Sequence, residues 1–214
     1  MMVNRTRDIV RQFHGYCDDA RLSAEATRWT IAYVYACKQH LRWKSACPNL
    51  RQAGVLSRAD VDRLEAADHL PNFCMDMLTQ CIKRAREANT LDGFEFRALD
   101  ENVQSFEDQI GKCERILKTP VPFSFVLHLR SIIMLNIVAL PLYLIGLKKY
   151  EFGAIPITLI YSYVLTGLED LGQMIENPFR ENFHALPLDG LCNAIRRNLL
   201  NIERRAKLSA SSDL

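Results

Sequence analysis

Two uncharged runs dominate the pattern of apolar and polar positions. Ser131 to Leu147 and Phe152 to Leu168 each hold 17 residues without a charge. Lys148-Lys149-Tyr150-Glu151 separates them and Glu169-Asp170 closes the second. As helices each would span roughly 26 Å at about 1.5 Å per residue, against roughly 30 Å of hydrocarbon in a bilayer. VPFSFVL before the first run and Leu171 to Ile175 after the second supply the missing length. We read residues 119–176 as a membrane-embedded helical hairpin. The alternative is a long buried hairpin inside a soluble helical protein. His128 and Arg130 at the mouth, Asn136 and Tyr143 within, and a mean hydropathy of -0.08 speak for that alternative. Arg130 lies near the start of its run, however, where a long side chain reaches the interface or a polar interior. Pro141 and Pro156 also suit spans whose neighbours re-satisfy the freed carbonyls.

The flanking chain carries helical periodicity throughout. Residues 5–43 predict one long helix, with Ile9, Phe13, Cys17, Ala20, Thr27, Ile31, Val34 and Leu41 at steps of three, four or seven and Gly15 as a weak point. Pro48 is expected to stop it. Ser57 and Asp60 signal the start of a short helix with Val61 and Leu64 inward. His69-Leu70-Pro71 predicts a break, after which Asn72 caps a helix with Phe73, Met77, Leu78, Cys81, Ile82 and Ala85 on one side. Leu99, Val103, Phe106, Ile110, Cys113 and Leu117 then alternate steps of four and three, a seam for helix packing within the chain or between copies. Asn177-Pro178 must leave helix, because the residue before a proline is pushed towards extended geometry. Leu188, Leu191, Ile195, Leu199 and Ile202 form a last amphipathic helix with Arg196, Arg197, Arg204 and Arg205 outside. That basic face suits either anionic lipid or plain solvent. The SASSDL tail is expected to be disordered. The pattern thus gives an all-α chain in three parts: a cytosolic or juxtamembrane helical region 1–118, the hairpin 119–176, and a C-terminal segment and helix 177–214.

Composition removes several functions. A net charge of +2 without a clustered basic face gives no case for nucleic acid. Seven cysteines without a C-x-x-C pair read as small buried hydrophobes. The five histidines lie far apart in sequence, with no metal-binding spacing, and no nucleophile elbow, phosphate loop or dinucleotide fingerprint occurs. No enzyme chemistry, metal or cofactor is expected. Glu169-Asp170 suits either a cation or the plain end of a span. His128 and Arg130 are the candidates for lining an anion pathway. Positions two apart on a helix face different ways, so at most one of them faces a given lumen.

Four segments carry a family resemblance: CERILKTPVPFSFVLHLR, LPLYLIGL, TGLEDLGQMIENPF and LPLDGLCNAIRRNLL. In this order they resemble the bestrophin-like anion channels, most of all the bacterial and plant-type branch, over roughly 90–210. The resemblance implies an all-α homopentamer around a central pore, its spans continuing into long cytosolic helices. It implies passive passage of chloride and similar anions across a cell membrane, or an organelle membrane such as the thylakoid, by a multi-pass protein. Phe94 or Phe96 is the implied cytosolic constriction, and Asn177, Pro178 and Phe179 form the family's N-P-F motif. Two departures follow. The family normally begins with about two further membrane-associated helices, so this sequence reads as a truncated member, and a non-conducting partner of full-length relatives is the alternative. The acidic run that clasps calcium after N-P-F in animal members is replaced here by Arg180-Glu181-Asn182-Phe183-His184, so calcium binding is not carried over. Both chain ends are expected in the cytosol, because the flanking lysines and arginines outnumber the Lys148-Lys149 tip.

Overall fold

The periodic stretch 5–43 folds as two helices rather than one. α1 (Met2–Tyr16) stops short of Asp19, whose Oδ1 accepts the Arg21 N–H at 2.8 Å and the Leu22 N–H at 3.3 Å and so starts α2 (Ala20–Leu41). Such a cap satisfies amides that the first helical turn leaves without partners. Apolar spacing runs straight across a break of this kind, which is why the pattern did not register it. The structure, a computed structural model, describes residues 2–119, 122–146, 153–176, 178–179, 181 and 186–212. Among these residues the chain is all helix and turn, with no strand.

Several helix starts refine the sequence reading or confirm it. Pro48 opens a short helix, α3 (Pro48–Ala53), where only a stop was expected; proline is pre-shaped for a first turn. Gly54 ends α3 at φ 59°, a left-handed C-cap conformation that favours glycine. α4 (Arg58–Glu65) begins as expected, with Ser57 Oγ accepting the Asp60 N–H at 3.2 Å and donating to Asp60 Oδ2 at 2.7 Å. α5 (Leu70–Glu87) is capped by His69, not Asn72: the Asn72 N–H donates to His69 Nδ1 at 3.2 Å, and Pro71 sits in the first turn. α6 (Gly93–Lys118) opens on a reciprocal box, Glu95 N–H to Asp92 Oδ1 at 2.7 Å and Asp92 N–H to Glu95 Oε2 at 2.9 Å. α7 (Phe123–Gly146), α8 (Ala154–Glu176) and α9 (Leu188–Ser212) complete the order. α9 runs on through Ser212, so most of the tail expected to be disordered is helical.

The chain divides into two compact units, residues 1–115 with 187–214, and residues 116–186. In the first, α2 is the central helix. It packs on α5, α9 and α1, and from Trp29 to Gln39 every one of its residues is buried. The Trp29 ring meets Phe73 edge-on at 5.9 Å, and the Tyr33 ring stacks on Phe106 at 4.4 Å. The seam on α6 is real: Leu99, Val103, Phe106 and Ile110 are buried and Cys113 and Leu117 partly so. Burying each such aliphatic or aromatic side chain contributes about 1.5–3 kcal/mol. Buried hydroxyls return to backbone carbonyls, Thr27 to Ser23 at 2.9 Å and Thr30 to Ala26 at 2.8 Å, so no donor is stranded there.

In the second unit α7 packs on α8. Residue 130 meets 169 and residue 136 meets 161, so the two helices run antiparallel. α7 has apolar side chains all round, and Met134, Leu135, Val138, Leu142 and Ile145 are exposed while Ile133 is buried. A helix apolar on every face belongs in a core or in lipid. Among the described residues, one helix is long and apolar enough to cross a membrane, Ser124–Gly146, with 6% of its apolar 18-residue window buried. Its 23 residues span roughly 35 Å. α8 is of similar length but carries Glu169 and Asp170 inside it, so of the two expected spans only the first meets that standard. Glu169 and Asp170 lie inside α8, which continues to Glu176 through the flank that was expected to lengthen it. The tip Lys148-Lys149-Tyr150-Glu151 lies outside the described residues.

Candidate functional site

Several polar groups of the described hairpin residues engage one another. Arg130 Nε donates to Glu169 Oε1 at 2.8 Å, joining the first turns of α7 to the last turns of α8. The Tyr161 hydroxyl donates to Asn136 Oδ1 at 3.5 Å, while Asn136 Nδ2 donates to the Ile132 carbonyl at 2.8 Å. Ser131 and Thr166 return their hydroxyls to carbonyls four residues back. These groups thus have partners within the hairpin, as polar groups on a largely apolar surface require. His128, two positions from Arg130, is exposed.

The remaining nominated residues fall on both units. Phe94, in the first turn of α6, is 87% exposed, while Phe96 is half-buried. Both belong to the first unit, whereas His128, Arg130, Pro178 and Phe179 belong to the second. Phe179 is buried and Pro178 partly so; Asn177 lies outside the described residues. Phe94 is thus the more exposed of the two nominated aromatics.

Two polar clusters of the first unit escaped the sequence reading. The Lys38 side chain is 3% exposed yet donates to Asp189 Oδ1 at 2.7 Å, and Arg42 adds a contact to Asp189 Oδ2 at 3.3 Å. The Lys38 ammonium, hydrogen-bonded to the carboxylate, holds the Asp189 carboxyl below its usual range. Asp189 also lies in the first turn of α9, where a negative charge suits the helix dipole. The second cluster unites His40, at the end of α2, His69, the cap of α5, and Glu114, on α6. Each histidine Nε2 lies 2.8 Å from Glu114 Oε1, and the two rings are 4.2 Å apart and tilted by 41°. The three positions are separated by 29 and 45 residues in sequence (69 − 40 and 114 − 69), and no local spacing announces them. The thiols offer no comparable chemistry. All seven are free, and burial pushes Cys47, Cys81 and Cys192 up to about 11, which keeps them protonated.

Comparison with known proteins gives the family. The chain is 26% identical over 218 residues to the voltage-dependent anion channel-forming protein alr2987 of Nostoc, a match over 100% of this chain and 70% of that one. It is 29% identical over 169 residues to the protein of the same description, sll1024, from Synechocystis, covering 79% of this chain and 54% of the relative. It therefore spans between about half and 70% of the length of these curated relatives. The crystal structure of a bacterial bestrophin homologue from Klebsiella pneumoniae superimposes with a TM-score of 0.85 at 26% identity, over 94% of this chain and 74% of that one. Residues 1–201 match the model of the bacterial/fungal bestrophin proteins, and with that fold beneath the match, the chain belongs to the bestrophin family.

Proposed function

We propose that this chain is a subunit of an anion-selective channel that passes chloride passively through a membrane, assembled as a homo-oligomer. The observation that carries the reading is the surface of α7, apolar on all faces and open along nearly its whole length. An apolar surface of that extent has to meet lipid or other copies of the chain. The relatives described as anion channel-forming proteins supply the ion class. The assembly is a pentamer, as the resemblance implies, and the protein is multi-pass, with α8 as the second span and the chain ends in the cytosol. Phe94 is the aromatic of the constriction, where a ring of such side chains gates by dewetting. His128 faces the pathway, while Arg130 is held by Glu169 and fixes the hairpin.

The test is reconstitution of the purified chain into planar bilayers with a chloride gradient. Chloride-selective current that changes with Phe94→Ala supports the reading. Current that appears only on co-reconstitution with a full-length relative reduces the chain to an accessory subunit. A chain that stays water-soluble and monomeric without detergent, and is released by an alkaline carbonate wash, overturns it.

A further inference from the structure

We propose that His40, His69 and Glu114 form a binding site for one Zn²⁺ ion per chain. Their ligand atoms already converge: one ligand atom from each residue lies within 4.8 Å of the others, and both Nε2 atoms are 2.8 Å from Glu114 Oε1. Two imidazoles and a carboxylate are a donor set of zinc sites that retain an open position. A tetrahedral ion with bonds of about 2.0–2.1 Å needs its ligand atoms roughly 3.3 Å apart. The present separations of 2.8 Å from each Nε2 to Oε1 therefore open by about half an ångström, within reach of side-chain rotation. The side chains are 20%, 32% and 18% exposed, enough for an ion to enter and for a water to take the fourth position. Imidazole donors favour zinc over calcium or magnesium, which want oxygen ligands.

The cap of α5 gives this site a signature of its own. His69 Nδ1 accepts the Asn72 N–H, so the proton of the neutral ring sits on Nε2 and is donated to Glu114. Zinc on Nε2 needs that lone pair, and the ring proton moves to Nδ1. There it opposes the Asn72 N–H, and the cap is lost to solvent. Ion binding thus ties α2, α5 and α6 together at one point while loosening the first turn of α5.

The experiment is calorimetric titration of the untagged full chain, stripped with chelator and held in detergent, with zinc chloride and in parallel with calcium chloride. Hydrogen exchange at Asn72 is followed in the same samples. We expect one zinc per chain, no calcium, and faster exchange at the Asn72 amide when zinc is bound. Glu114→Gln keeps the shape of the side chain and should weaken zinc at least tenfold. His69→Asn retains a good helix cap, so it should fold normally and lose the site, while His128→Ala should bind as the parent does. Absence of stoichiometric zinc, affinity unchanged in both Glu114→Gln and His69→Asn, or an Asn72 amide indifferent to bound zinc would each overturn the assignment.

Discussion

Arg130 on α7 and Glu169 on α8 form an ion pair of 2.8 Å that fixes the register of the hairpin. The cation nominated for lining an anion pathway is therefore matched by a carboxylate from the neighbouring helix. What the pair is worth depends on its solvent, and this is measurable. In water an exposed ion pair contributes about 0.2–1 kcal/mol. Next to lipid, an unmatched charge near a span costs up to about 2.5–3.5 kcal/mol. We expect Glu169→Ala alone to destabilise the reconstituted protein by about 1–3 kcal/mol, and Arg130→Ala/Glu169→Ala together by less. A double-mutant cycle in lipid with coupling no greater than in detergent-free buffer would contradict a membrane setting for the hairpin.

Tyr33 stacks on Phe106 with an interplanar angle of 9° and donates its hydroxyl to the Phe106 carbonyl at 2.8 Å. Both residues are fully enclosed. Tyr33→Phe keeps the ring and removes one buried hydrogen bond, for a loss of about 0.5–1.5 kcal/mol. Phe106→Ala leaves a cavity and strands the stack, for about 3–5 kcal/mol. Denaturant titration of the purified variants checks the order; a Tyr33→Phe loss as large as that of Phe106→Ala would contradict the stated geometry.

Asp189 takes its charge from the same contacts that anchor α9. Its carboxyl is held below the usual range by Lys38 first, so its contribution to stability is complete above the unfolded value of about 3.9. It disappears as pH falls through the folded value, below that point. Asp189→Ala leaves the Lys38 ammonium enclosed without this partner. Water reaches the half-exposed Asp189 side, so the loss at neutral pH is about 1–2 kcal/mol rather than the full cost of a broken buried pair. Thermal midpoints taken from pH 7 down to pH 3 should converge for parent and variant at the acid end. Curves that stay parallel would remove Asp189 from the account.

Asp19 separates α1 from α2. Asp19→Ala removes the one side-chain oxygen that accepts both first-turn amides and should cost about 1 kcal/mol, while Asp19→Asn should retain most of that stability. Equal losses in the two variants, measured by thermal unfolding, would assign the break to packing instead of the cap.

The amino-acid pattern by itself determined the helical class, the α6 seam and the apolar character of the hairpin. These follow from side-chain periodicity, and periodicity is a local property that any helix must express to bury or expose a face. Local reading failed where a break preserves the period, at Asp19, and where a histidine took a capping role usually given to asparagine, at His69. Tertiary structure alone decided which charges meet. Arg130 finds Glu169 because two helices fold antiparallel, and Lys38 finds Asp189 because α9 returns to α2. His40, His69 and Glu114 converge because three helix ends share one point. Contacts across such distances are set by packing geometry, and no spacing in the sequence encodes them.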